Sequence, residues 1–206
     1  MQKRELYGGA SGLVQTVVKI GGGLLAHEGC LDAVLNAIAG MERQETVLIV
    51  PGGGPFADAV RDQDARALLS DDAAHWMAVL AMDQYAHLIA SRLRAARLVS
   101  DAEGMSAAHR AGEIPVLAPY AWLRRADPLP HSWDVTSDSI AAWVATAVQA
   151  GRLLLVKPPG SGDRSDLVDG YFARVRGNLS VDVIAADVFA TTYHLPATSY
   201  QLPATD

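Results

Sequence analysis

The stretch VVKIGGGLL, residues 17–25, sets a lysine inside an apolar run and three glycines directly after it. Burying an ammonium among valines and isoleucine is costly unless its charge is matched. Lys19 therefore implies an anion, either a carboxylate of the protein or a bound ligand. Glycines that follow a strand let backbone N–H groups approach an anion closely, and the next helix adds the positive end of its dipole. Gly21, Gly22 and Gly23 read as such a cradle, with Lys19 reaching into it. A second turn, VLIVPGGGPFADAV at 47–60, carries Gly52, Gly53 and Gly54 but no lysine. Two cradles, one of them armed with a cation, suit two phosphorylated ligands held face to face. Phosphoryl transfer needs that arrangement, with donor and acceptor in line and cations on the charge spread between them.

Both turns also satisfy G-x-G-x-x-A, so dinucleotide binding is the first rival. It requires an acidic residue ending the second strand to hold the ribose. That strand ends in Val50-Pro51-Gly52, with no acid. A P-loop is excluded because no G-K-[ST] occurs in the chain.

A third stretch, SWDVTSDS at 132–139, places Asp134 and Asp138 on either side of a helix start. Two carboxylates there can hold Mg²⁺ through water or fix a lysine. The plainer alternative makes Asp138 an ordinary helix-start acid, for which Asp138→Asn would melt far lower and keep its turnover. If Asp138 instead fixes the lysine, Asn keeps its size and capping ability and should cost about 1 kcal/mol or less in stability, with the loss in turnover.

The elements that must position these residues are short apolar strands at 16–20, 46–50, 97–100, 114–118 and 152–157. Helical patterns lie between them at 27–40, 55–69, 72–96, 102–111 and 137–150. Strands that are nearly all apolar and alternate with helices predict a three-layer α/β/α sandwich around a mainly parallel sheet. Ser70 or Asp71 is the expected N-cap of the long helix, and Gly151 the expected left-handed stop of helix 137–150. After Lys157 the texture changes. PPGSGDRSDLVDG is turn-rich, and YFARV, VDVIAA and a polar tail follow as a smaller lobe continuing the same sheet.

The net charge of −6 argues against a nucleic-acid partner, which needs a basic face. No run approaches the roughly 18 apolar residues of a membrane span, and the N-terminus lacks an apolar signal core, so no membrane partner and a cytoplasmic location are expected. Cys30 is the only cysteine, which excludes an intrachain disulfide and reads as a small core residue. Apolar positions on helix 72–96 (Trp76, Met77, Leu80 and Tyr85) would suit a symmetric homodimer or higher homo-oligomer if exposed.

In their order, VVKIGGGLL, VLIVPGGGPFADAV and WDVTSDSIAAWVA resemble the motifs of the amino acid kinase family, which includes acetylglutamate, carbamate, uridylate and isopentenyl phosphate kinases. The resemblance implies ATP and magnesium, with Lys19 and Gly21–Gly23 on the nucleotide phosphates. It implies Gly52, Gly53 and Gly54 on the acceptor, and Asp138 orienting the lysine and the metal-bound phosphates. Asp134 then falls where relatives place a polar residue facing the reacting groups. LSDDAAHWMAVLAMDQYAHLIA and IPVLAPYAWLRRADPLPHSWDVTSDS further resemble a branch acting in methanofuran biosynthesis. That branch phosphorylates (5-aminomethyl-furan-3-yl)methyl phosphate to its diphosphate.

A phosphate-monoester acceptor wants cations beside it. Arg61 could supply one, or be a solvated helix residue. His75 could donate a hydrogen bond to the acceptor phosphate, or be a capping or packing histidine. No general base is demanded, because the acceptor phosphate oxygen is already ionised at neutral pH. On this reading residues 1–206 form one domain, with 1–150 as the acceptor side and 151–206 as a shortened nucleotide lobe. The chain departs from the family there. Lys157 and a Pro-Pro-Gly turn stand where relatives carry an acidic turn, and no lysine follows Lys157. Either Lys157 serves the nucleotide phosphates or nucleotide binding is altered, with a strand-end surface lysine as the plain alternative. A kinase of a carboxylate or carbamate, or a nucleotide-binding storage protein on the same fold, are the competing functions.

Overall fold

The run Thr16–Ile20 forms β1, and each of its five residues is buried. The computed structural model describes residues 14–161 and 167–193. After β1 come a 3-10 turn (Gly22–Ala26), α1 (Cys30–Met41), β2 (Val47–Pro51), α2 (Gly54–Ala67) and α3 (Asp71–Arg92). Then follow β3 (Ala96–Val99), α4 (Ala102–Arg110), β4 (Ile114–Leu117), α5 (Tyr120–Ala126) and α6 (Ser137–Ala147). The described chain closes with β5 (Arg152–Lys157), α7 (Phe172–Val175), β6 (Ser180–Ala185) and α8 (Ala186–Thr192).

The six strands form one sheet in the order β3-β4-β2-β1-β5-β6, and every pairing is parallel. The chain leaves β1 toward β2 on one side and later returns to β5 on the other. Strand order reverses there, and in open α/β sheets a crevice opens at the carboxyl ends of such strands. Ile20, Pro51 and Lys157 end the three strands concerned.

Side chains alternate across the sheet. Val18, Ile20, Ile49, Leu154 and Val156 pack with Val34, Leu35 and Ile38 of α1. Val17, Val50, Leu153 and Leu155 pack on the other face with Ile140, Ala141 and Val144 of α6. Continuing that period, Lys19 and Lys157 point to the α6 face. At the opposite end of the sheet, Arg152 donates to Glu45 at 2.6 Å and to Thr16 Oγ1 at 2.9 Å, tying β5, β1 and the approach to β2 together.

Several sequence expectations change. Trp76 and Tyr85, expected on an exposed face, are 7% and 0% exposed; Met77 and Leu80 do reach solvent. Gly151 does not stop α6. The helix ends at Ala147, and Gln149, at φ +55°, takes the left-handed position. Ser70, not Asp71, caps α3, accepting from the N–H of Ala73 at 3.2 Å. The long helix ends at Arg92 rather than 96. Three short helices that the apolar pattern did not signal, α5, α7 and α8, lie in stretches taken as loop, as a continuation of the sheet (YFARV) and as tail. No described helix is long and apolar enough to cross a membrane.

Just past α1, Glu42 accepts the Val47 N–H at 2.9 Å. Burial, aided by the charge of Glu45 and opposed by that hydrogen bond, pushes its carboxyl up to about 7. An unfolded glutamate titrates near 4.3 (about that value), so the folded state binds the extra proton between these limits. The stability this provides is full below the unfolded value and is lost as pH rises through about 7. Glu42→Gln keeps the acceptor and removes the ionisation. The melting temperature of the variant relative to wild type is expected to be higher at pH 8 than at pH 5. An equal difference at both pH values would contradict this account.

Candidate active site

Lys19 and Lys157 reach the same end of the sheet because β1 and β5 are in register, Lys19 opposite Leu155, with Lys157 two residues further on the same face. Asp138, in the first turn of α6, lies between them. Its Oδ1 is 2.8 Å from Lys19 Nζ, and its Oδ2 accepts from Lys157 Nζ at 2.7 Å. The three residues are 4%, 8% and 4% exposed for Lys19, Lys157 and Asp138. Burial alone would raise the Asp138 carboxyl, but the two ammonium groups outweigh it and hold it below its ordinary value. Burial and the charge of Lys19 lower Lys157, against the pull of Asp138. Two cations against one anion leave an excess positive charge at the foot of a cleft.

The glycine turns close over this triad. A Cβ on Gly22 would come within 2.2 Å of Gly54 Cα, and one on Gly52 within 2.8 Å of Gly22 N. A Cβ on Gly21 would meet Val156 O at 2.7 Å. The two turns thus pack backbone to backbone, and glycine is needed for their mutual approach as well as for any ligand. Gly54, at φ +54°, opens α2, whose first N–H groups have no intrahelical acceptor. The cleft so formed has a volume of about 420 Å³ and also takes in Arg61, Asp71, His75, Trp133 and Pro158.

The amino acid kinase family model matches residues 15–158. The chain belongs to the amino acid kinase family. This kinase is 27% identical over 173 residues to the [5-(aminomethyl)furan-3-yl]methyl phosphate kinase of Methanocaldococcus jannaschii, an alignment covering 83% of this chain and 74% of that protein. Its fold is similar to the uridylate kinase of Archaeoglobus fulgidus, with a TM-score of 0.65, 16% identity and coverage of 87% and 95% of the two chains. The UMP kinase of Ureaplasma parvum gives the same TM-score and identity, with 86% and 92% covered.

Within the kinase, the structure brings most of the sequence candidates together. Lys19, Gly21, Gly22, Gly23, Gly53, Gly54, Arg61, His75, Asp138 and Lys157 all line the cleft. Gly52 lies behind it, its N–H donating to Ile20 O at 2.8 Å. Asp134 is exposed and does not line the cleft; its backbone oxygen accepts from the Tyr171 N–H at 3.2 Å. The surface alternative for Lys157 is overturned by its burial. The helix-start reading of Asp138 is incomplete, since Thr136 is the cap and the Asp138 carboxylate is spent on two lysines. Arg61 sits at the rim, paired with Asp58 at 2.7 Å and lying over the Trp133 ring at 4.9 Å.

Asp169 went unnoticed in the turn-rich segment. It accepts from the N–H and hydroxyl of Thr136 at 3.0 and 2.8 Å, from the N–H of Ser139 at 3.0 Å, and from the Ser139 hydroxyl. It thereby holds the start of α6, and so Asp138, in place. No local pattern announces a partner 30 residues or more away. Both Asp138 oxygens face lysines, and no group of three or more His, Cys, Asp or Glu suited to a metal occurs among the described residues. A protein-built magnesium site therefore does not fit here, and the metal would have to arrive with the nucleotide.

Gly53→Val should damage anion binding at the second turn by blocking backbone approach. The structure adds a second cause, because a Cβ there would lie 2.3 Å from Ala57 Cβ and must displace the first turn of α2. Calorimetry on the folded variant is expected to show acceptor affinity lost more than ATP affinity. The reverse pattern would mean that the two turns have exchanged roles.

Proposed function

We propose that the chain is an ATP-dependent kinase that converts a small phosphate monoester to its diphosphate. The observation that carries this reading is the buried Lys19–Asp138–Lys157 triad at the foot of an open cleft, two cations in direct contact with one carboxylate and, beyond it, only the more distant pull of Asp169 on Lys157. An anion stabilises the excess positive charge, and the charge of a transferring phosphoryl group does so best. Lys19, Gly21–Gly23 and Lys157 take the nucleotide phosphates, which assigns β5 and the segment after it (151–206) to the nucleotide side. Gly53, Gly54 and the start of α2, with Gly52 supporting them and Arg61 at the rim, take the acceptor phosphate. Asp138 holds both ammonium groups in position and limits their mutual repulsion. ATP supplies the γ-phosphoryl group: an acceptor phosphate oxygen forms the new P–O bond while the bond to the β-phosphate oxygen breaks, and ADP leaves. The acceptor oxygen is already ionised, so no base is required of the protein.

The methanocaldococcal relative supports [5-(aminomethyl)furan-3-yl]methyl phosphate as the first acceptor to try, and the fold likeness adds UMP. ADP formation should be followed with these two monoesters, with acetylglutamate and with carbamate. Turnover confined to a monoester is expected. Turnover only with a carboxylate or carbamate would replace the proposed acceptor class, and tight ATP binding with no turnover would favour a storage role.

A further inference from the structure

The cleft wall contributed by α3 repeats at helical spacing: Asp71, Ala74, His75, Ala78, Val79 and Met82. At 1.5 Å per residue, Asp71 stands about 16 Å along the helix from Met82. The deeper part is apolar, formed by Val79 and Met82 with Ile140 of α6. The outer part turns polar. Asp71 is exposed and has no charged partner among the described residues, whereas Asp58 and Arg61 across the cleft neutralise each other. His75 lies one turn further in and is only 9% exposed. Among the described residues no polar atom hydrogen-bonds its ring. It contacts the His131 ring, stacked at 4.2 Å, and the edge of Trp76 at 4.7 Å. A buried polar group is normally satisfied, so the hydrogen-bonding capacity of His75 is left for whatever fills the cleft.

The stack fixes the form in which His75 offers that capacity. The ring on which His75 stacks is held between two carboxylates, His131 Nδ1 3.0 Å from Asp72 and its Nε2 2.9 Å from Asp127. Burial first, and then the charge of His131, lower His75 to about 4, against the pull of Asp127 and Asp72. At neutral pH His75 is therefore uncharged and keeps a lone pair that accepts a hydrogen bond. The cleft has a positive foot at the lysines and a negative, hydrogen-bond-accepting outer wall, with an apolar span between.

We propose that Asp71 and His75 are specificity residues of the acceptor site, reading a protonated amine at the end of the acceptor remote from its phosphate. This role presupposes the phosphate-monoester acceptor proposed for the chain. It differs from the hydrogen bond to the acceptor phosphate expected of His75 from sequence, because a neutral ring beside an unpaired carboxylate suits a cation better than an anion.

The test compares kcat/KM for [5-(aminomethyl)furan-3-yl]methyl phosphate with that for the analogue bearing methyl in place of aminomethyl. Wild type is expected to prefer the amine by roughly tenfold or more, the scale of a charge pair at a partly desolvated site. In Asp71→Asn, whose exposed position leaves folding undisturbed, that preference should fall about tenfold, through the acceptor KM rather than kcat. His75→Leu should lower it as well. The same preference in wild type and in both variants would overturn the assignment while leaving the kinase reading in place. Turnover of neither compound, with or without turnover of a carboxylate, would overturn the monoester reading and the assignment with it.

Discussion

Asp138→Asn is expected to destabilise the protein by about 3–5 kcal/mol and to lower turnover by roughly a hundredfold or more. From sequence, the lysine-orienting reading allowed only about 1 kcal/mol or less, because Asn keeps the size and capping ability of Asp. The structure shows why the loss is larger: the carboxylate separates two buried ammonium groups at 2.8 and 2.7 Å, and without it they face each other unscreened. Lys157, already lowered by burial and by the charge of Lys19, then loses the contribution of Asp138 that raises it. A lysine whose folded value lies below its unfolded value makes stability rise with pH between the two, because the unfolded chain binds more protons there. Denaturant melts of the variant should therefore show a larger deficit against wild type at pH 6 than at pH 9. A variant as stable as wild type at pH 6 would contradict the triad.

Lys19→Ala should behave differently. It leaves Lys157 and Asp138 as a neutral buried pair and removes one of two competing cations, so the fold should survive. Turnover should fall by roughly 10²–10³-fold, the scale of losing one electrostatic contact to the transferring group. The loss should appear in kcat with ATP affinity much less affected, the pattern of an interaction made chiefly in the transition state. Steady-state kinetics with calorimetry of ATP binding checks this. Near-normal turnover would remove Lys19 from the mechanism.

What the sequence made legible was local. Lys19 inside an apolar strand, glycines directly after β1 and β2, and the alternation of apolar strands with helices all act over a few residues. They sufficed for the parallel sheet and for most residues of the cleft. Contacts closed by the sheet were not legible in the same way. Lys157 joins Asp138 across 19 residues only because β5 returns beside β1. Asp169 reaches Thr136 across 33, and His75 meets His131 across 56 (131 − 75), with two strands and two helices between them. Helix α3 misled for another reason. Its first half, with Trp76, Val79 and Met82, packs in one core and its second half, with Tyr85 and Ile89, in the other, so its apolar residues form no single stripe. Trp76 and Tyr85 then look exposed when each has a core of its own. Asp134 fits the motif by position, but its side chain lies outside the cleft.

The fate of the γ-phosphoryl group separates phosphoryl transfer from mere binding. With enzyme in excess over γ-labelled ATP and [5-(aminomethyl)furan-3-yl]methyl phosphate present, a single turnover should move the label to the acceptor as a diphosphate, with ADP formed in equal amount. Label released as inorganic phosphate, or retained on ATP bound in the cleft, would contradict it.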